Sequence, residues 1–469
     1  MRPEGLPSHA LPGPTDPTTE PEGQQRTSPQ TLQNQRQNQR QNQPPEQLPH
    51  QRLLENGVRI VAEELPGREG VSWELSLPVG SVHDPGATPG ATALLWEWQD
   101  RGAAGLGARQ RQEAFARLGV RGGGASGRDR SVVAGSGLAD VLAEGLALTV
   151  HEVTDPALDD AEFEIARIHA LEALDALTDR PADRLDEELN ARAFVGPHAR
   201  SALGTVAGLE GATPDTIRAH RDAALGPGGA TLVIVGGVDP EAALDLAEAA
   251  LSDWRGAAPQ TSGLPRWATP ARHAVAADAQ QTQLGWAWPL LPADDARASA
   301  QALGLAVLSG GMGARLFREV REARGLVYAV DAGARAVRGA AWGTAHAATT
   351  PQRVEETIEV VQRELAKLAA GVNEDELARA RTLLRTREAM QADASAGRAG
   401  QLMRDLLLLG RPRTVGQRLD ALLRPTRADV DAALAAAPCL TPTLVVLGPG
   451  EVEPGATLEP GATPASDDA

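Results

Sequence analysis

The sequence predicts an α+β protein built as two homologous α/β-sandwich halves, and three observations carry that reading. Landmarks recur at nearly one offset. Trp73, in Val71-Ser-Trp-Glu-Leu-Ser-Leu, and Trp286, in Leu284-Gly-Trp-Ala-Trp, stand 213 residues apart. Ile217 and Val430, each shortly after a Thr-Pro or Pro-Thr start, are also 213 apart, and Gly236 and Gly448, closing Thr231-Leu-Val-Ile-Val and Thr443-Leu-Val-Val-Leu, are 212 apart. Chance apolar runs would not keep one offset in three places, whereas a duplicated unit does. Within each half, strand-like and helix-like apolar periods alternate, the pattern of a layered α+β unit. A Gly-, Ala- and Pro-rich stretch, Arg255 to Thr269, lies where a linker between halves would fall.

The elements follow in order. Residues 1–50 are rich in Gln, Asn and Pro, and Gln33-Asn-Gln-Arg repeats at Gln37; too little apolar surface is present to offset the entropy of ordering, so disorder, or a misassigned start, is expected. Residues 51–257 form the first half. Val71, Trp73, Leu75 and Leu77 alternate as in a half-buried strand, and Ile165, Ile168, Leu171 and Leu174 fall on or near one helical face. A linker is placed at 258–269 and the second half at 270–450. The tail, 451–469, repeats Pro-Gly-Ala-Thr, ends acidic, and is also expected to be disordered.

Composition narrows the function. Formal net charge is -17, which opposes nucleic-acid binding because phosphates need clustered cations. Of 45 basic residues only Lys367 is lysine. The single cysteine, Cys439, excludes an intrachain disulfide and a Cys-based zinc cluster. No run of 18 apolar residues occurs, so no membrane span is expected. The start lacks a basic-then-apolar signal pattern, so a cytoplasmic location is expected.

The most specific stretch is Ser309-Gly-Gly-Met-Gly-Ala-Arg-Leu-Phe-Arg-Glu-Val-Arg-Glu-Ala-Arg-Gly-Leu-Val-Tyr-Ala-Val. Gly310 and Gly311 free the backbone for a tight turn, a short helix fits the next residues, and Gly325 can end it in the left-handed region. The stretch closely resembles the C-terminal-half signature of the M16 (pitrilysin or insulinase-like) metallopeptidases. The resemblance extends over roughly residues 50–450: Leu53-Leu-Glu-Asn-Gly-Val-Arg-Ile-Val, Gly80-Ser-Val-His-Asp-Pro with Pro89-Gly90, Phe194-Val-Gly-Pro-His-Ala-Arg-Ser-Ala-Leu-Gly-Thr, and Val233-Ile-Val-Gly-Gly-Val-Asp-Pro each match a family segment. It implies the M16, LuxS-like fold. It also implies that Arg321 and Tyr328, seven positions apart, point at the peptide-cleaving site, where both can donate to a carbonyl oxygen as it becomes negative.

Active members carry His-x-x-Glu-His on the helix after Pro-Gly: two histidines four apart share a zinc, and the Glu is the general base. Here that stretch reads Leu94-Leu-Trp-Glu-Trp98. Leu94 and Trp98 hold the histidine positions, Glu97 survives as a relic of the general-base position, and Glu172 best matches the third, carboxylate ligand, with Glu164 a poorer match. Leucine cannot coordinate a metal and indole nitrogen only donates. No two of the nine histidines lie three or four apart, although His83 or His169 can approach the helix in space. Trp96 and Trp98 read as packing residues. Arg121-Gly-Gly-Gly-Ala-Ser-Gly-Arg lacks the Gly-Lys-Ser/Thr ending of a phosphate loop.

The resemblance therefore implies a non-zinc subunit: no cofactor in this chain, zinc in a homologous partner that forms a heterodimer with it, a peptide substrate, and neither nucleic acid nor membrane. Arg321 and Tyr328 would bind and polarise the substrate. The alternatives are an inactive scaffold subunit of a larger complex and a homodimeric peptide-binding protein.

Overall fold

The computed structural model describes residues 47–257, 263–437 and 439–449. The tail at 451–469, the first residues of the linker and the Gln/Pro-rich start as far as residue 46 lie outside the described residues. The expected boundary at 50 moves slightly, because His50 already belongs to the first strand.

The first sheet contains β1 (His50–Leu53), β2 (Arg59–Glu64), β3 (Gly70–Leu77), β4 (Arg121–Ser126), β5 (Ser131–Leu138) and β6 (Thr231–Gly236), in the order β1-β2-β6-β3-β5-β4. The second contains β7 (Arg272–Ala276), β8 (Thr282–Leu290), β9 (Val327–Val337), β10 (Ala340–Thr349) and β11 (Thr443–Gly448), in the order β7-β11-β8-β10-β9. Setting aside β1, each half weaves its five strands in the sequence first-fifth-second-fourth-third. In both, the first and fifth strands are parallel and the other pairs antiparallel. The internal duplication read from the sequence is thus a duplication of topology.

Two of the three landmarks hold their offset. Thr213 and Thr426 cap equivalent helices, each hydroxyl accepting from the backbone N–H three residues on, and Ile217 and Val430 are fully buried one turn later. Thr231 and Thr443 open equivalent strands. The tryptophans do not match: Ser76 faces Thr231, whereas Ala287 faces Thr443. By this register Trp286 is the counterpart of Leu75, two residues beyond Trp73. A two-residue slip keeps the same face of the sheet, so both indoles still point into their cores. Trp73 fits because Gly135 lies opposite it, where a Cβ would stand 2.4 Å from the ring; Gly343 makes the same room for Trp288.

Helices cover both faces of each sheet. In the first half the named helices are α1 (Ala91–Gln99), α2 (Leu142–Thr154), α3 (Asp160–Asp175), α4 (Pro181–Ala193), α5 (Pro214–Ala224) and α6 (Pro240–Leu251). In the second they are α7 (Ala298–Ser309), α8 (Val354–Ala369), α9 (Glu374–Ala392), α10 (Ser395–Leu409) and α11 (Arg427–Ala436). One core lies between the first sheet and α2 and α6, the other between the second sheet and α7, α8 and α11. The remaining faces are covered by exchange. Leu185 and Leu189 of α4 pack on Val445 and Leu447 of the second sheet, while Leu402, Met403 and Leu406 of α10 pack on Val61, Val233 and Val235 of the first. Arg398, 1% exposed, clasps Glu63 with two hydrogen bonds of 2.8 Å. Burial alone would raise the Asp186 carboxyl on α4, but His346 and Arg335 of the second sheet hold it down to about 2. Apolar contact and paired charge together lock the halves.

Two sequence expectations change here. The helical face of Ile165 and Ile168 is exposed; α3 buries Phe163, Ala166 and Ala170 instead. Part of the linker, Arg266–Trp267, is extended and pairs with Phe194–Val195. Among the described residues no helix is long and apolar enough to cross a membrane.

Candidate functional site

The site of the degenerate metal motif begins at the turn before α1. Asp84 anchors that turn: its carboxylate accepts from the backbone N–H of Gly90 (2.7 Å) and of Thr92 (2.9 Å), and from the Thr92 hydroxyl (2.6 Å). Gly90 has φ 104, a left-handed conformation that favours glycine, and this aims α1 into the molecule. Leu94 and Trp98, four apart, share one face, and both are 0% exposed. They pack with Phe163, Ala166 and Ala170 of α3 and with Ile217 of α5. The Trp98 and Phe163 rings meet edge to face at 4.8 Å, and the Trp98 indole N–H donates to the Asp159 carbonyl at 2.9 Å. Where two imidazoles would converge on a metal, the chain has a closed apolar seam.

The surviving carboxylates do not complete a ligand set. Glu97 is half-buried, with its Oε2 3.9 Å from His169 Nδ1. Burial raises the Glu97 carboxyl, and His169 and Arg101 pull the other way. Arg101 donates to His169 Nδ1 at 2.7 Å, so the imidazole proton belongs on Nε2. Glu172 is exposed on α3, and its side chain makes no hydrogen bond or ion pair. His83 faces back to its own turn, its Nδ1 accepting from Gly80 N–H at 3.1 Å. Among the described residues no group of three or more His, Cys, Asp or Glu side chains is placed to hold a metal ion. A catalytic zinc needs about three protein ligands, and the residues at this position do not fit one.

The neighbouring tryptophan explains one glycine of the glycine-rich stretch. Arg121–Ser126 is the edge strand β4, and at Gly124 a Cβ would stand 2.7 Å from the Trp96 ring. Trp96 is buried there and donates to Ser131 Oγ at 2.9 Å. Gly124 makes room for an indole.

The second group lies on the other half. After the turn at Gly310-Gly311, where Gly311 has φ 102, the backbone widens into a π-helical stretch, Phe317–Glu322. Such widened turns recur at functional sites. Gly325, φ 60, ends it, its N–H donating to the Arg321 carbonyl at 2.9 Å. Tyr328 follows on β9 within a bulge, because Val327 faces Thr349 while Val330 faces Ala347. The bulge leaves Tyr328 and Ala329 out of regular pairing and re-aims the side chain. Tyr328 is 80% exposed. The Arg321 guanidinium lies over two rings, 4.8 Å from the Phe317 centroid and 4.9 Å from the Tyr328 centroid, and makes no hydrogen bond or ion pair. Stacking fixes the plane of the cation while leaving its N–H donors free, beside a free phenol.

The structure therefore brings Arg321 and Tyr328 together and places Glu97 with His169 elsewhere; the two groups make no ring contact, hydrogen bond or ion pair with each other. Sequence reasoning missed two supports of the pair. One is Phe317, the second ring. The other is Arg315, whose fork is held by Glu376 (2.8 and 2.7 Å) and the Gly371 carbonyl (3.0 Å), tying the start of the segment to α9. The signal for both was present in the Arg-Leu-Phe of the motif.

Comparison with known proteins bears on the fold and on the second half. Residues 211–384, which include the Arg321–Tyr328 segment, match the family model of the peptidase M16 inactive domain. The chain carries an M16 inactive-type domain. An uncharacterized zinc protease of Streptomyces coelicolor is 26% identical over 412 residues, covering 84% of this chain and 88% of that protein. One from Rickettsia felis is 24% identical over 364 residues, covering 76% and 87%. Among solved structures, an M16 inactive-domain peptidase from Pseudomonas fluorescens superposes with a TM-score of 0.77 at 23% identity, covering 86% of this chain and 98% of its own. A Helicobacter pylori protease gives 0.77 at 17% identity, covering 86% and 100%. These likenesses confirm the α+β M16 fold.

One buried titratable group yields a pH prediction. The Thr92 hydroxyl donates to Asp84, so His220 Nε2, 2.9 Å from that hydroxyl, is the donor to it. His220 is buried, and burial pushes its pKa below 6.5, with Asp84 opposing and His83 adding to the fall. Below about pH 6.5 the unfolded chain takes up a proton that the folded chain does not, so stability declines as pH falls. His220→Gln, which keeps an N–H donor, should flatten the fall in urea midpoint between about pH 7 and 5; equal slopes in both proteins would refute the role.

Proposed function

We propose that this chain is the non-zinc subunit of an M16-type peptidase pair. In this reading it grips the substrate peptide through Arg321 and Tyr328 while a homologous partner supplies the zinc. The observation that carries the reading is the contrast between the two groups. The histidine positions have become sealed core at Leu94 and Trp98. Arg321, by contrast, lies stacked on an exposed Tyr328, and neither side chain has a hydrogen-bond partner. A fixed guanidinium and a phenol can both donate to a scissile carbonyl, and their attraction grows as its oxygen turns negative, which is the condition for rate acceleration. Glu97, without imidazoles beside it on the helix face, takes no part. Cleavage by the isolated chain, by the isolated zinc-bearing homologue and by the mixture tests this, with zinc content measured for each. Activity should appear only in the mixture, with zinc in the homologue. Peptide hydrolysis by the isolated chain with one bound zinc would end the proposal.

A further inference from the structure

A cleft of about 1600 Å³ opens between the halves, walled by β3, β9, α7, α9 and α10. Its charge is opposite to that of the molecule. Of its acidic residues, Asp129 is engaged by His198 at 3.0 Å. Glu388 accepts from Arg418 at 2.8 Å and from Gln401 at 2.9 Å. Glu74 is half-buried, and burial favours its neutral form, with Arg404 opposing. On the cationic side, Arg130 is committed to Ser76 and the Gly229 carbonyl. Arg338, Arg387 and Arg404 line the cleft and are exposed, and their guanidinium groups make no hydrogen bond or ion pair. Three uncommitted guanidinium groups thus face one cavity in a chain of net charge -17. Leu305, Leu384 and Leu408 give the same cavity an aliphatic wall.

This cleft shares strand β9 with the Arg321–Tyr328 pair. Ala332, Gly333, Ala334, Ala336 and Val337 of β9, the strand that carries Tyr328, form part of its lining. At about 3.3 Å per strand residue, Ala332 lies roughly 13 Å along the strand from Tyr328, within reach of a peptide held at that tyrosine. We propose that the cleft selects acidic peptide segments, with Asp or Glu side chains meeting Arg338, Arg387 and Arg404 and aliphatic side chains meeting the leucine wall. This names the substrate class of the proposed function and rests on that reading for the position of the peptide.

The test measures fluorescence anisotropy of the full chain with three labelled 12-residue peptides, alternating Leu with Glu, Gln or Lys. Bulk charge favours the Lys peptide; the cleft predicts that the Glu peptide binds about tenfold tighter than the Gln peptide, and that the preference shrinks as salt screens exposed pairs. Two triple variants, Arg338→Gln/Arg387→Gln/Arg404→Gln and the corresponding Glu set, change only exposed side chains. The first should bring the Glu peptide to the level of the Gln peptide, and the second below it. Absence of an acidic preference, or its survival in both variants, overturns the proposal. Arg321→Ala separates the two readings: a loss shared by all three peptides, without acidic preference, leaves the grip standing and the cleft refuted. Acidic preference that depends on the three arginines but ignores Arg321 leaves the cleft standing and the grip refuted.

Discussion

Arg321→Ala should lower kcat of the reconstituted pair by about 10²–10³, the range for removing one preorganised donor to a developing oxyanion. Fold stability should barely follow. The Arg321 side chain has no hydrogen bond or ion pair to lose, only its stacking on Phe317 and Tyr328, and a cation–π contact near the surface contributes about 0.5–1 kcal/mol. Tyr328→Phe keeps the ring under the guanidinium and removes the phenol alone, so it isolates the second donor. Arg321→Lys keeps charge but loses the planar fork and its stacking, and should fall between wild type and the alanine variant. The pattern of KM and kcat matters. A group that merely holds substrate raises KM at constant kcat, whereas one that acts in the transition state lowers kcat. Full activity of an assembled pair that carries Arg321→Ala would show the stack to be a scaffold feature.

How much of this was legible in the sequence depended on range. Local chemistry was readable. Thr213 and Thr426 announced equivalent helix starts, Thr231 and Thr443 equivalent strands, and the Gly-rich turn with Gly325 bracketed the segment that presents Arg321. Register was not, because strand patterns repeat every two residues: Trp73 and Trp286 satisfy the apolar alternation equally well with or without the two-residue slip that their partners reveal. The α3 face was misread for a related reason. Large residues at Ile165 and Ile168 drew attention, but close approach to α1 requires small ones, and Ala166 and Ala170 supply it. The exchange of α4 and α10 was invisible, since an amphipathic helix shows that it must be covered without showing by which sheet. For the site, the pairing of Arg321 with Tyr328 was expected from the motif. The motif contains Phe317 without showing that Arg321 stacks on it, and the free arginines of the cleft depend on an absence of contacts that no spacing encodes.

Placing histidines at positions 94 and 98 should not create a zinc site, and it should cost the fold dearly. In Leu94→His/Trp98→His two of the most deeply buried side chains give way to polar imidazoles, and the larger of them leaves a void. Loss of a buried Trp costs about 3–5 kcal/mol through lost contact and cavity formation, and each imidazole without a partner adds about 1–3 kcal/mol. The substitution also removes the edge contact with Phe163, the indole donor to Asp159 and the Arg218 guanidinium 5.0 Å from the indole centroid. Zinc could repay this only with a third ligand, and Glu172 is exposed on α3. The double variant should therefore show a large fall in urea midpoint and no stoichiometric zinc by elemental analysis. Trp98→Phe, which keeps an aromatic in the seam, should lose far less. A double variant that stayed as stable as the parent and bound one zinc per chain would mean that the site is vacant and ready. The geometry argues otherwise. A motif that had only lost its ligands would leave a cavity between α1, α3 and α5. Here Trp98 fills that space and has its own hydrogen bond, so the metal position has become part of the core that holds the first half together. Zinc binding at this position would require this packing to change first, and the proposed function therefore rests on the stacked pair of the opposite half.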